Sequence, residues 1–277
     1  MAETVLVTRA PAPSGGAPSG GGREIATLTL NRPEVRNALL PSMVRAFRLA
    51  LEKLVRDPAV RCVVITGAGA GDRAAFCAGA DLRNALVEEP NLIDELDRYL
   101  DDFHGCIRLV WNSPKPILAR IDGPAAGFGC DLALACDLRV FSTAGYLQSS
   151  FARIGLVPDG GGTGTLSRMV GLGVAAQLIY LAEKVDAHRA LSLGLATKVV
   201  SPEALDEAVA TLAGQLAAAA PLAFMHAKRA MHAALGVSID DILAEERIGQ
   251  LVCLRSADAL EGVMAWAEKR PADFKGI

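Results

Sequence analysis

Apolar residues recur along this chain in two rhythms. The run Ile25-Ala26-Thr27-Leu28-Thr29-Leu30 alternates with a period of two, which predicts a half-buried strand, and Thr4-Val5-Leu6-Val7-Thr8 upstream is equally rich in strand formers. Between them, residues 10–22 are almost wholly Ala, Pro, Ser and Gly, a composition that buries too little to offset its ordering entropy. A hairpin with an overlong, mobile tip is expected, with a glycine-rich interaction tag as the other reading. Beyond Asn31-Arg32-Pro33 the period changes. Met43, Phe47, Ala50, Leu51 and Leu54 share one helical face, with Pro41 suited to the first turn. Cys62–Thr66, Ile117–Ile121 and Leu138–Phe141 read as buried strands separated by helical stretches, so an α/β class with parallel pairing follows.

The last third reads as helix. Ser201 is expected to cap and Pro202 to open a helix whose apolar face carries Leu205, Ala208, Val209, Leu212 and Leu216. A further helix starts near Ser256, carries Leu260, Val263, Met264 and Ala267, and stops at Lys269-Arg270-Pro271. The division expected is a core over residues 1–200 and a helical segment over 201–277 suited to self-association.

The chain has 277 residues, 51% of them apolar, enough for a full core. Twenty-eight basic against 31 acidic residues leave a formal net charge of -3, which supplies no general field for nucleic acid or an anionic membrane. Six cysteines lie in apolar segments without CxxC pairs, the four histidines are not near paired cysteines, and no apolar run reaches membrane-spanning length. Reduced thiols in a cytoplasm, no metal, no nucleic acid and no membrane are the expectations.

Three glycine-rich segments are candidate ligand loops. Gly67-Ala68-Gly69-Ala70-Gly71-Asp72 follows a strand but lacks the third glycine of a dinucleotide fingerprint and the GK[ST] of a phosphate loop, so it reads as a flexible turn. Ala75–Leu82 and Gly123–Gly129 place small residues where backbone can approach a ligand. A helix starting near Phe128 would present unpaired amides and its positive dipole end, suited to an oxygen gaining charge. Close helix packing is the other reason for such glycines.

At these residues the sequence resembles the enoyl-CoA hydratase/isomerase (crotonase) family. The motifs are Asn31-Arg32-Pro33 through Asn37-Ala38-Leu39, Phe76–Leu82, Gly123–Asp137, Ile154–Asp159 and Glu261–Pro271. The resemblance implies a spiral of ββα turns, a C-terminal helical trimerisation segment, assembly as a homotrimer or dimer of trimers, and an acyl-CoA thioester as substrate. No cofactor is implied beyond the coenzyme A of the substrate itself. It further implies that the N–H groups of Ala80 and Phe128 grip the thioester oxygen, with Phe128 shaping the acyl pocket or taking an uncommon backbone angle. Ala38, Ala78 and Leu82 match positions that meet coenzyme A; Arg83 and Lys275 are candidate phosphate contacts, Lys275 as one reaching a neighbouring subunit.

Family hydratases use two glutamates, and here the matching positions are Asp131 and Phe151. A ring cannot transfer a proton, which weakens hydration. Asp159, in Val157-Pro158-Asp159-Gly160-Gly161-Gly162, resembles the acid of the isomerase branch. Isomerisation by Asp159 with Asp131 assisting is therefore expected; a hydratase or hydrolase using both acids, and a catalytically silent acyl-CoA-binding trimer, are the alternatives. The ordinary readings are that Asp159 caps the helix near Thr163, that Asp131 is a dipole partner in a first turn, and that Phe151 is core wall.

Overall fold

The computed structural model describes residues 3–12, 23–92, 94–234 and 236–277. Strands β1 (Val5–Pro11) and β2 (Glu24–Leu30) form the expected antiparallel hairpin, in register from Val5 opposite Leu30 to Pro11 opposite Glu24. Ala10 and Pro11 thus belong to the strand rather than to the tip, and residues 13–22 of the expected loop lie outside the described residues. From β2 onward the pairing is parallel: β3 (Val60–Gly67), β4 (Ile117–Ile121), β6 (Leu138–Ser142) and β9 (Lys198–Val200) follow in that order.

A second, smaller sheet contains β5 (Pro124–Ala126), β7 (Tyr146–Gln148) and β8 (Val185–Asp186). The chain alternates between the sheets, β4 to β5 and then β6 to β7. This is the ββα spiral expected.

The apolar run of β3 is continuous because both of its faces are covered. Val63 and Ile65 point into a cluster with Met43, Phe47, Leu51 and Leu54 of helix α1 (Pro41–Arg56). Cys62 and Val64 point the other way, against Leu205, Ala208, Val209, Ala213 and Ala217 of a late helix, numbered α7 (Leu205–Ala218). That helix packs on the sheet, so the packing of the core runs past residue 201. Its start also differs from expectation: Pro202–Ala204 form a separate 3-10 turn, and the Ser201 side chain makes no capping hydrogen bond.

The remaining helices are α2 (Leu82–Glu88), α3 (Leu96–Trp111), α4 (Phe128–Ala135), α5 (Gly162–Tyr180, broken at Gly171), α6 (Ala187–Ser192), α8 (Pro221–Ala233), α9 (Ile239–Leu254) and α10 (Ala257–Glu268). Ser256 caps α10 by accepting from the Ala259 N–H at 3.2 Å, and Lys269 ends it in a left-handed conformation. Helix α8 is tied to the core by an ion pair: Lys228 Nζ lies 2.9 Å from Asp137 and donates to the Val110 carbonyl at 3.0 Å. On α9 and α10, Leu251, Val252, Leu254, Leu260, Val263, Met264 and Trp266 are exposed, Trp266 by 81%. Among the described residues no single helix is long and apolar enough to cross a membrane.

Candidate functional site

Apart from Lys275, the sequence-predicted residues gather where β3 and β4 end and the chain crosses to the second sheet. Asn37 is the knot beneath them. It is fully buried and left-handed (φ 56°), a conformation that asparagine tolerates better than most residues. Its Oδ1 accepts from the Arg32 N–H at 2.9 Å, and its Nδ2 donates to the carbonyls of Ala68 and Ala75 at 2.9 and 2.8 Å. Those bonds fix the end of β3 against the 75–80 segment. Gly67 is therefore a site of close approach between backbones rather than a flexible turn, because a Cβ there would collide with the Ala75 and Phe76 carbonyls.

One short parallel bridge then aims an amide. Leu39 donates to the Gly79 carbonyl at 2.8 Å and accepts from the Asp81 N–H at 2.9 Å. In such pairing the residue between, Ala80, turns its own N–H to the opposite side. Across that space Gly127 takes φ 53° and ψ −129°, and α4 begins at Phe128. The uncommon backbone angle is thus at Gly127; Phe128 is an ordinary helical residue. A Cβ on Gly79 would sit 3.6 Å from the Phe128 nitrogen and 3.0 Å from the Ala126 oxygen, so glycine leaves the space between the two amides open. Among the described residues, neither the Ala80 nor the Phe128 N–H is donated to a protein acceptor.

The two acids occupy different environments. Asp131, in the first turn of α4, is 1% exposed. Its Oδ2 accepts from the Gly160 N–H at 2.9 Å, while Oδ1 has no partner and lies beside the Gly162 backbone. Burial, with a contribution from Asp159, pushes its carboxyl up to about 7 against the backbone N–H groups that favour the anion. Asp159 is half-buried, and its Oδ1 is also buried without a partner. Burial raises its pKa too, with His104 opposing. It does not cap a helix: α5 starts at Gly162 behind Gly161, with no side-chain cap. Phe151 is core wall, 7% exposed.

An aromatic row lines the same region. The Phe128 ring meets Phe103 edge-on at 4.6 Å between centroids, and Phe103 meets Tyr99 at 4.7 Å. Tyr99, on α3, is a member of the site that the sequence reading did not single out; its hydroxyl is buried without a partner. The signal was available, since Tyr99, Phe103, Cys106 and Val110 share a helical face.

The Leu39–Ala80 bridge brings Ala38, Ala78 and Leu82 together at the rim. The Ala38 carbonyl accepts from Arg32 Nη1 at 2.6 Å, and Arg32 Nη2 meets Asp81 at 3.1 Å. The Ala78 N–H donates to Arg36. Leu82 and Arg83, at the start of α2, are exposed. Lys275 is not brought to this cluster within one chain: it lines a cavity with Pro58, Val60 and Arg61, at the opposite end of the strands, and pairs with Asp273 at 2.6 Å.

Among the described residues, the N–H groups of Ala80 and Phe128 are thus left undonated near Gly79, and Asp131 and Asp159 each keep one buried oxygen without a partner. Such donors stabilise an oxygen as it acquires charge, each typically by about 10²–10³ in rate. A family model described as enoyl-CoA hydratase/isomerase matches residues 20–277. The 1,2-epoxyphenylacetyl-CoA isomerase of Escherichia coli is 34% identical over 253 residues, 91% of this chain and 95% of its own. The crotonyl-CoA hydratase of Syntrophomonas wolfei is 34% identical over 254 residues, 91% and 94% of the two chains. An enoyl-CoA hydratase structure from Bacillus anthracis superposes with a TM-score of 0.86 at 29% identity, covering 99% of this chain and 100% of that one.

Proposed function

The chain belongs to the enoyl-CoA hydratase/isomerase family, and within that family of acyl-CoA enzymes we propose that it is an isomerase that moves a double bond, or opens a ring, through an enolate. The observation that carries this reading is the combination of Asp159, a half-buried carboxyl with one buried oxygen free of partners, with Phe151, an apolar residue where the resemblance implies the second acid of a hydratase. The thioester oxygen is held by the N–H groups of Ala80 and Phe128. Asp159 takes a proton from one carbon, the charge spreads through the dienolate onto that oxygen, and the same carboxyl returns a proton to another carbon. One base suffices because the same carboxyl removes one proton and delivers another, exchanging with solvent water between the two steps. A pKa raised by burial suits Asp159 to both halves of the cycle.

Asp131 assists from beneath, holding the loop that carries Asp159 through Gly160. Ala38, Ala78 and Leu82 meet coenzyme A at the rim with Arg83 beside a phosphate, and Lys275 reaches it only from another copy. A homotrimer or dimer of trimers belongs to the same reading, supported by the exposed apolar residues of α9 and α10. So does a cytoplasmic setting, supported by six free thiols, five of them buried.

Incubation with crotonyl-CoA in water labelled with deuterium and oxygen-18 tests the reaction. Deuterium entering at carbon without oxygen-18 is the expected result. Incorporation of oxygen-18 overturns isomerisation in favour of hydration, the activity for which the Syntrophomonas relative is named.

A further inference from the structure

Tyr99 is a buried phenol with nothing to bond to. Among the described residues its hydroxyl is closed off from solvent and has no partner, an arrangement that forfeits hydration unless something else claims the donor. Its ring packs on Phe103, which packs in turn on Phe128, the residue whose amide faces the proposed oxyanion. The phenol therefore stands at the far end of an aromatic row that begins at that amide.

The charges around it restrict what could bind there. Asp159, Glu89 and Asp81 all act on the phenol, and together with burial they push its pKa up to about 12, so it stays a neutral donor. Glu89 and Asp81 are already bridged to Arg45 and Arg32, whereas Asp159 Oδ1 is unpartnered among the described residues. An anionic group at the phenol would meet that carboxylate without compensation.

We propose that Tyr99 determines substrate specificity, donating a hydrogen bond to an uncharged oxygen on the acyl group, such as a ketone, ether or epoxide. The proposal rests on the acyl-CoA reading above and deepens it by naming the acyl class: oxygen-bearing, neutral chains rather than plain alkyl or carboxylate-ended ones.

The test is calorimetric binding of saturated, non-reacting thioesters to the full chain and to Tyr99→Phe. The probes are hexanoyl-CoA, its 4-oxo and 5-oxo analogues, and adipoyl-CoA. Tyr99→Phe keeps the ring against Phe103 and removes a hydroxyl that has no partner, so its melting temperature is expected to be equal or higher. An oxo analogue is expected to bind about tenfold more tightly than hexanoyl-CoA to the native protein, adipoyl-CoA the most weakly, and the tenfold preference to vanish in Tyr99→Phe with hexanoyl-CoA affinity unchanged. Equal affinity for hexanoyl and both oxo forms, or a preference that survives the substitution, overturns the assignment of Tyr99 while leaving the acyl-CoA reading intact. Failure of every thioester to bind overturns both.

Discussion

Asp131 accepts a 2.9 Å hydrogen bond from the Gly160 N–H, and the glycine's α-carbon faces the same carboxyl so closely that a Cβ there would lie 2.6 Å from the Asp131 Cβ and 3.1 Å from the Phe128 ring. Helix α4, which presents the Phe128 amide, and the loop carrying Asp159 are thereby locked to one another. Gly160 and Gly162 leave room for the buried Asp131 carboxyl, while Gly161 between them takes the left-handed φ of 82°. Gly160→Ala is expected to destabilise the fold by about 1–3 kcal/mol through overpacking and, by displacing Asp159, to lower turnover roughly 10²-fold. Gly164→Ala, three residues into α5 with open space around its α-carbon, is the control: gaining a better helix former, it is expected to stabilise by about 0.5–1 kcal/mol. Urea midpoints and steady-state rates of the two variants check the contrast.

The same buried carboxyl makes stability depend on pH. Its folded pKa of about 7 lies above the ordinary value of 3.8. The native state thus holds this proton more tightly than the unfolded chain does. The resulting stabilisation is complete below the unfolded pKa and is lost as pH rises from about 4 through 7, by an amount on the order of 4 kcal/mol at most. Asp131→Asn removes the titration. Relative to the native protein, its stability is expected to improve from pH 4 to about pH 7 and then level off, measured by urea unfolding at four or five pH values between 4 and 8. Parallel curves for the two proteins would show that Asp131 does not carry the shift.

Much of this was legible in the sequence, and the parts that were not share a cause. The strands β2, β3, β4 and β6 announce themselves because each buries a regular or continuous apolar run, and α1 and α10 because Pro41 and Ser256 mark their starts. Strands β5, β7 and β8, of three, three and two residues, are too short to show a period. The positions of Ala80, Phe128 and Asp159 came from motif resemblance, but their mutual geometry depends on Asn37, Gly79 and Gly127, which act through backbone hydrogen bonds and close approach. No hydrophobic rhythm reports a buried asparagine. The shelter of Asp131 depends on residues 29 and 31 positions away, Gly160 and Gly162, and only the adjacent glycines hint at it.

Lys228 and Asp137 join the C-terminal helices to the parallel sheet. Both are largely buried; the carboxylate also accepts from the Ile117 N–H at 2.8 Å, and burial raises its pKa against the pull of the lysine. Removing one partner leaves a charge in the core. Lys228→Met is expected to destabilise the chain by about 3–5 kcal/mol, and the double variant with Asp137→Asn to recover a large part of that loss. Chemical denaturation of the two singles and the double supplies the cycle. A double variant no more stable than Lys228→Met alone would place the damage in packing rather than charge.

Asp159→Asn separates chemistry from binding. The amide has nearly the shape of the carboxyl and fits the same half-buried position, yet it cannot accept and return a proton at neutral pH. The Ala80 and Phe128 amides, which are main-chain, are untouched, as is the rim formed by Ala38, Ala78 and Leu82. Turnover is expected to fall by about 10²–10⁴-fold, the usual contribution of a positioned general base, while the dissociation constant for a saturated acyl-CoA changes little. Because burial disfavours the charged form of Asp159, the neutral amide is also expected to melt no lower than the native protein at neutral pH. Rates near the native level would remove Asp159 from the proton path and turn attention to Asp131, whose carboxyl would then have to escape the glycines that enclose it.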